Sequence, residues 1–211
     1  LALASRLDWI GYLSTVGVYG DHTGAWVDET TPPAPTSRRS RARLAAEESW
    51  LALGRRTGRT VAVLRLAGIY GPGRSAIDQL RAGTARRIVK PGQVFNRIHV
   101  EDIATTVTAA IDRNAGGVFN ATDDEPAPPQ DVVAEAARLL DMAPPPEIAW
   151  RDAERTLSEM ALSFYAETKR VRNDRIKREL GVALAYPTYR EGLAAIADLA
   201  RDARATTRPS G

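Results

Sequence analysis

Two hydroxyl side chains, Ser14 and Thr15, end an apolar segment and open the glycine-spaced stretch STVGVYGDHTG. Glycines after a strand are typical of loops that hold a dinucleotide pyrophosphate, but such a loop must lead directly into a helix. Here the chain continues into the polar, proline-ended segment DHTGAWVDETTPPAP, and Asp21 would repel a phosphate. We therefore interpret Ser14 and Thr15 as hydroxyl groups at a strand end, where they either bind a ligand or satisfy backbone groups.

A second candidate set is Arg39 and Arg43, four residues apart, with Glu47 at the same interval. This spacing places all three on one face of a helix. Arginine does not release its proton near neutral pH, but it can polarise a carbonyl or clamp a carboxylate or phosphate. Alternatively, the face is solvated and Arg43 with Glu47 forms an ordinary helical ion pair.

Three apolar segments predict buried parallel strands at residues 9–15, 60–66 and 116–122. Between the first two, a helix is expected to begin at a cap at Thr36 or Ser37 and to end at Gly54. Parallel strands joined in this way form a right-handed crossover. Because ligands bind beyond the carboxyl ends of such strands, the segments that follow them should converge on one crevice.

The rest of the chain predicts short elements. Ser75 should cap a short helix, and RRIVKPGQVF should form a hairpin. Helices are also predicted for HVEDIATTVTAAID and for QDVVAEAARLL, the second of which begins after two prolines. The last helix should start near Thr188. The fold class is α/β, with few strands for the length.

Composition excludes several kinds of protein. The chain has no cysteine and two histidines, which argues against disulfides and against a thiolate or histidine-rich metal site, so no metal is expected. No apolar stretch approaches the roughly 18 residues of a membrane span. The formal charge is +3, and the bases are almost all arginine. Acids are interspersed with them, so nucleic-acid binding, mainly through residues 151–178, ranks last among the functions considered.

The motifs YLSTVGVYGD, DETTPPAP, RLAAEE, VAVLRLAGIYGPGR, RIHVEDIA and GGVFNATDDEP occur in this order. In this order they resemble the NAD-dependent epimerase/dehydratase family, the extended branch of the short-chain dehydrogenase/reductases, over nearly the whole chain. The resemblance implies that Thr15, with Ser14 beside it, binds the reacting hydroxyl or carbonyl. It implies an NAD or NADP cofactor whose nicotinamide lies along Ala67, Gly68, Ile69 and Tyr70. The residues it implies for the substrate pocket are Arg97, His99, Asp102 and Arg74.

In that family the acid–base pair is a tyrosine and a lysine, four residues apart. Aligned on RLAAEE, these positions hold Arg39 and Arg43, so the pair is replaced. Arg43 is expected to take over the contact with the cofactor ribose. His22, His99 and Tyr70 remain as titratable groups that could supply the proton.

The resemblance also implies a domain division. Residues 1–122 would form the C-terminal half of a Rossmann dinucleotide-binding domain, with 75–100 contributing to the substrate pocket. Residues 123–205 would form a small α-rich substrate-binding subdomain, and 206–211 a frayed tail. The family's Gly-rich phosphate loop does not occur in this sequence. We therefore expect a longer protein that carries it upstream.

Three functions are consistent with these observations. The first is a cytoplasmic NAD(P)-dependent oxidoreductase, or nucleotide-sugar epimerase or dehydratase, that acts on a small molecule. Its expected protein partner is a second copy of itself, as a homodimer, and no membrane partner is expected. The second is a catalytically inactive NAD(P)-binding protein that serves as a sensor or assembly factor. The third is nucleic-acid binding.

Overall fold

A computed structural model describes residues 7–206. The tail predicted at 206–211 lies outside this range from residue 207 onward. The strands in the described range are β1 (Trp9–Thr15), β2 (Trp26–Val27), β3 (Thr60–Leu66), β4 (Gly68–Tyr70), β5 (Arg87–Val89), β6 (Arg97–His99), β7 (Gly117–Ala121), β8 (Glu147–Ala149) and β9 (Arg170–Val171). The helices are α1 (Arg38–Thr57), α2 (Ala76–Arg81), α3 (Val100–Asp112), α4 (Pro129–Leu139), α5 (Trp150–Ala153), α6 (Glu159–Tyr165), α7 (Asp174–Leu180) and α8 (Tyr189–Thr206).

The three predicted strands form one parallel sheet in the order β1-β3-β7. Thr15 lies opposite Leu66, and Leu66 lies opposite Ala121, so the three strands end at the same edge. The apolar side chains of β3 are buried almost throughout, as are the last three residues of β7, whereas β1 is only partly buried. The predicted α/β class, the doubly wound parallel sheet and the convergence of the strand ends are confirmed.

Helix α1 begins as predicted, because the Ser37 hydroxyl accepts a hydrogen bond from the Ser40 amide (3.0 Å). The predicted end at Gly54 is wrong. The helix continues to Thr57 and ends at Gly58, whose φ of +68° suits glycine. Gly54 has a packing role instead, since a Cβ atom there would lie 2.7 Å from Val61 Cγ2 on β3.

The predicted hairpin at RRIVKPGQVF is also wrong. Strand β5 pairs in parallel with β8, with Arg87 opposite Glu147, and these two side chains form an ion pair (2.9 Å). The second half of the segment makes an isolated bridge from Phe95 to Ala127. A turn-forming Pro-Gly is present, but packing against distant segments decides the strand partners.

Two apolar cores flank the crevice. One packs α3 and α7 on the sheet and includes Leu64, Phe119 and Ile176. The other joins α2, α4 and α8 around Ile77 and Leu193. Within residues 7–206, β1 has a neighbour on one side only, and Leu13 on it is 45% exposed. None of the described helices combines the length and the apolar character that a bilayer span requires.

We expect Gly54→Ala to lower the free energy of unfolding by about 1–2 kcal/mol. Overpacking costs about 1–3 kcal/mol, which outweighs the roughly 0.5–1 kcal/mol that alanine gains over glycine within a helix. Urea denaturation measures the difference, with the exposed α1 substitution Ser49→Ala as control. A Gly54→Ala protein as stable as the wild type would contradict the tight packing of α1 on β3.

Candidate active site

Hydrogen bonds join the ends of β3, β7 and β6. The Ala67 amide donates to the Ala121 carbonyl (3.0 Å), which ties the end of β3 to that of β7. The Thr122 hydroxyl donates to the Arg97 carbonyl (3.0 Å), which adds β6 to the same edge. This is the edge of a parallel sheet at which ligands bind.

The two hydroxyl groups at the end of β1 differ in whether they can donate a hydrogen bond to a ligand. Ser14 is 3% exposed, and its hydroxyl donates to Glu47 Oε1. Thr15 caps the 3-10 turn Val16–Tyr19, where its Oγ1 accepts the Gly17 amide hydrogen (3.1 Å). Among residues 7–206 the Thr15 hydroxyl has no assigned acceptor for its own hydrogen, so this hydrogen can be donated to a ligand. The Ser14 hydroxyl hydrogen, in contrast, is donated to Glu47.

A buried ion pair lies directly behind this turn. Glu47 is 1% exposed and accepts hydrogen bonds from Arg65 of β3 at Nη2 (2.8 Å) and Nε (3.2 Å). Of the two interpretations of this helix face, the solvated one with an Arg43–Glu47 ion pair is therefore wrong. Glu47 faces the sheet, where Arg65 offers two parallel donors, a geometry that favours a buried carboxylate. No local feature of the sequence indicated this partner, 18 residues away.

Arg43 and Arg39 lie on the side of α1 next to the exposed edge of β1. One Arg43 Nη atom donates to the Leu13 carbonyl, and its guanidinium lies 5.2 Å from the centre of the Tyr12 ring. The Arg43 Nε atom is buried and has no hydrogen-bond partner within the described range. Arg39 is exposed, and no residue between 7 and 206 partners its side chain.

The segment expected to lie along a nicotinamide, Ala67 to Tyr70, follows β3 directly. Gly68 starts β4, and its amide donates to the Asn96 carbonyl (3.0 Å). Tyr70 is buried, and its hydroxyl donates weakly to the Thr188 carbonyl (3.4 Å). Burial, reinforced by the charges of Asp123 and Asp102, raises the pKa of Tyr70, so its phenol stays protonated near neutral pH.

The residues expected in the substrate pocket occupy different environments. His99 is buried, and burial lowers its pKa, so the ring is neutral. Asp102 is also buried, and its carboxylate accepts the backbone amides of Ala185 (2.7 Å) and Tyr186 (3.1 Å). Arg74 is exposed, and within the described range its guanidinium has no partner.

The titratable groups considered as proton sources have local partners. His22 Nε2 lies 3.1 Å from the Tyr19 carbonyl oxygen. The His99 ring lies edge-on to Tyr70, with ring centres 5.2 Å apart, and 4.0 Å from Tyr186. His99 and Tyr70 therefore belong to one aromatic cluster, formed where β4 pairs with β6.

Sequence reasoning missed Asp123, which follows the end of β7. It is 1% exposed, and its Oδ2 atom has no hydrogen-bond partner among residues 7–206. The positive charge of Arg97 lowers the pKa of Asp123. The Arg97 guanidinium, however, donates its hydrogen bonds to the Phe95 (2.9 Å) and Ala127 (3.1 Å) carbonyls. Burial therefore dominates and raises the pKa of Asp123 to about 8. The sequence feature that could have identified Asp123 is the acidic segment TDDEP, which directly follows a predicted strand.

The described range contains no group of three or more histidine, cysteine, aspartate or glutamate side chains arranged to hold a metal ion.

Comparison with known proteins assigns the family of this chain. Residues 2–122 match the model of the NAD dependent epimerase/dehydratase family. More than half of the chain is matched, and the chain therefore belongs to this family.

Individual relatives are similar over much of the chain. A 3-diazoavenalumate denitrifying reductase from Streptomyces sp is 31% identical over 62% of this chain and 45% of its own length. Protein YeeZ from Escherichia coli K12 is 37% identical over 68% of this chain and 50% of its own. A solved structure of a functionally unknown conserved protein from Silicibacter pomeroyi DSS is 55% identical, with a TM-score of 0.86, covering 94% of this chain and 69% of that one. The chain thus spans about half the length of the curated relatives it matches.

We expect Asp123 to make folding stability depend on pH. The folded state holds this proton up to about pH 8, whereas the unfolded chain releases it near pH 4, so stability falls as the pH rises between these values. Asp123→Asn cannot ionise. Relative to this variant, the wild type should lose about 1–3 kcal/mol of unfolding free energy between pH 5 and pH 7.

Urea denaturation at pH 5, 6 and 7 measures this difference, with Asp112→Asn, at an exposed position of α3, as control. Wild-type and Asp123→Asn stabilities that change in parallel with pH would show that Asp123 is ionised throughout.

Proposed function

We propose that this chain supplies the substrate-facing side of an NAD(P)-dependent oxidoreductase site, in which the Thr15 hydroxyl binds the substrate oxygen. The main support for the proposal is that the hydroxyl hydrogen of Thr15 is available for a hydrogen bond to a ligand. Its oxygen is held by the Gly17 amide at the end of β1, while its hydrogen has no acceptor assigned within the described range. A hydrogen-bond donor fixed in this way stabilises negative charge on a reacting carbonyl oxygen.

The residues that would hold a nicotinamide cofactor fit that role. The cofactor would supply or accept a hydride. The backbone of residues 67–70 leaves the sheet at the crevice, where planar groups bind in this topology. The Nε atom of Arg43 is buried and has no hydrogen-bond partner between residues 7 and 206, which suits a contact with a ribose hydroxyl. We propose residues 1–122 as the cofactor half, with 75–100 lining the pocket, and 123–205 as the substrate subdomain.

Arginine at position 39 changes the chemistry that the helix can perform. A guanidinium does not transfer a proton at neutral pH, so Arg39 binds and polarises an oxygen atom or clamps an anionic group. The proton then comes from solvent or from another residue. The name of the Streptomyces relative, a reductase, supports the oxidoreductase class over an epimerase or dehydratase.

A cofactor-binding protein without turnover is the second candidate, and the replacement of the acid–base pair by Arg39 and Arg43 favours it. Nucleic-acid binding has less support. Arginines near residues 151–178 pair with neighbouring acids, as Arg175 does with Glu179 (2.9 Å) and Arg178 does with the same carboxylate (3.2 Å). Such pairs reduce the positive field that a phosphate backbone requires.

The test of the oxidoreductase uses the protein with its complete family fold. Fluorescence titration should detect binding of NADH or NADPH. Turnover is followed with an aromatic aldehyde, an ortho-quinone and a UDP-sugar as probes. Thr15→Ala should lower kcat by about 10²-fold, as loss of one donor to a developing oxyanion does, while the free energy of unfolding falls only by the ~1 kcal/mol that a lost cap costs.

Thr57→Ala, a substitution of an exposed α1 hydroxyl that bonds its own helix, is the matched control. Unchanged turnover in Thr15→Ala would remove Thr15 from the mechanism.

The same assay separates the two leading candidates. An inactive cofactor-binding protein should bind NADH or NADPH and turn over none of the probes. Arg39→Tyr combined with Arg43→Lys restores the family's acid–base pair and should then create measurable turnover. If the wild type is active and this double variant is not faster, the arginines belong to the mechanism of an active enzyme.

A further inference from the structure

A continuous polar network connects helix α1 with the turn that follows β1. Ser14 and Arg65 both donate to the Glu47 carboxylate. The Arg65 guanidinium in turn lies 4.8 Å from the centre of the Tyr19 ring. The Tyr19 hydroxyl donates to Asn120 Oδ1 on β7 (2.9 Å). All five side chains are buried, so water does not compete for these contacts.

The network holds the turn at both ends. Thr15 caps its start through the Gly17 amide, and Tyr19 is its last residue. The segment between them is a single 3-10 turn, so fixing Tyr19 limits how far the cap can move. Ser14, directly before the cap, is held by Glu47. Thr15 thus lies between Ser14, which is held by Glu47 of α1, and Tyr19. The Tyr19 side chain contacts Arg65 of β3 and Asn120 of β7.

We propose that Glu47 and Tyr19 are positioning residues that act through Thr15, holding its hydroxyl in the orientation that leaves its hydrogen available to a ligand. The catalytic consequence rests on the role proposed for Thr15 above. The geometric part does not, because the Gly17-to-Thr15 hydrogen bond exists without any ligand.

The Gly17 amide reports the geometry directly, because it donates to Thr15 Oγ1. Tyr19→Phe keeps the ring beside Arg65 and removes only the hydroxyl. In this variant, hydrogen exchange at Gly17, followed by NMR, should become at least tenfold faster, while exchange at Leu64 in β3 stays unchanged. Ser49→Ala, on the exposed face of α1, should leave Gly17 unaffected. Unchanged exchange at Gly17 in Tyr19→Phe overturns the proposal.

A double-mutant comparison separates positioning from general loosening. Thr15→Ala removes the acceptor of the Gly17 amide, so adding Tyr19→Phe to it should give no further increase in exchange. Effects that multiply would mean that Tyr19 acts independently of Thr15, which contradicts the proposal.

Glu47→Gln tests the other end of the network but leaves the charge of Arg65 buried without a partner and risks unfolding. Ser14→Ala keeps the ion pair and removes one contact of Glu47. It should also speed exchange at Gly17, by a smaller factor than Tyr19→Phe does. A Gly17 rate equal to the wild-type rate in Ser14→Ala removes Glu47 from the positioning role.

Kinetics with NADPH and the ortho-quinone probe then test the catalytic consequence. Tyr19→Phe should lower kcat about tenfold with an unchanged KM for NADPH, and should have no further effect in the Thr15→Ala background. Equal losses in both backgrounds would contradict positioning through Thr15. If the wild type turns over no probe, the proposed function fails, while the exchange data still decide whether the network orients Thr15.

Discussion

The buried ion pair between Glu47 and Arg65 is the interaction on which the arrangement of the strand ends depends. It joins α1 to β3 and at the same time satisfies the hydroxyl of Ser14 on β1. Removing one partner of such a pair costs about 3–5 kcal/mol, because the other charge stays buried without compensation. The pair therefore penalises any arrangement in which α1 moves away from the carboxyl edge of the sheet.

A second set of contacts fixes the C-terminal part of the chain against the loop after β1. Strand β9 pairs with β2, and Lys169 donates to the Gly20 carbonyl (2.6 Å) and to Glu167 (2.9 Å). Glu167 in turn accepts the Thr36 hydroxyl just before α1. These contacts join the loop after β1 and the start of α1 to the C-terminal part of the chain.

Two ionisable side chains have opposite properties. Arg39 on α1 is exposed, and its guanidinium suits an anionic group. Asp123 after β7 is buried, and burial raises its pKa to about 8, so it adds little negative charge at neutral pH. In the reaction proposed above, both properties would favour negative charge on a substrate oxygen beside Thr15.

The sequence by itself determined the local elements. The segments that became β1, β3 and β7 were recognisable as short apolar runs, although only β3 is buried almost throughout. The caps at Ser37 and Ser75 followed from side chains that bond their own backbone. The ordered motifs also gave the family and the positions of Ser14 and Thr15.

Tertiary structure alone decided which side chains became partners. Glu47 pairs with Arg65 rather than Arg43, β5 joins β8 rather than a hairpin arm, and Gly54 packs on Val61 instead of ending its helix. The burial of Asp123 and the separation of Ser14 from Thr15 also depend on segments far along the chain. The physical reason is that propensity and capping act over a few residues. Ion pairing, burial and close packing depend instead on surfaces that meet only after the chain has folded.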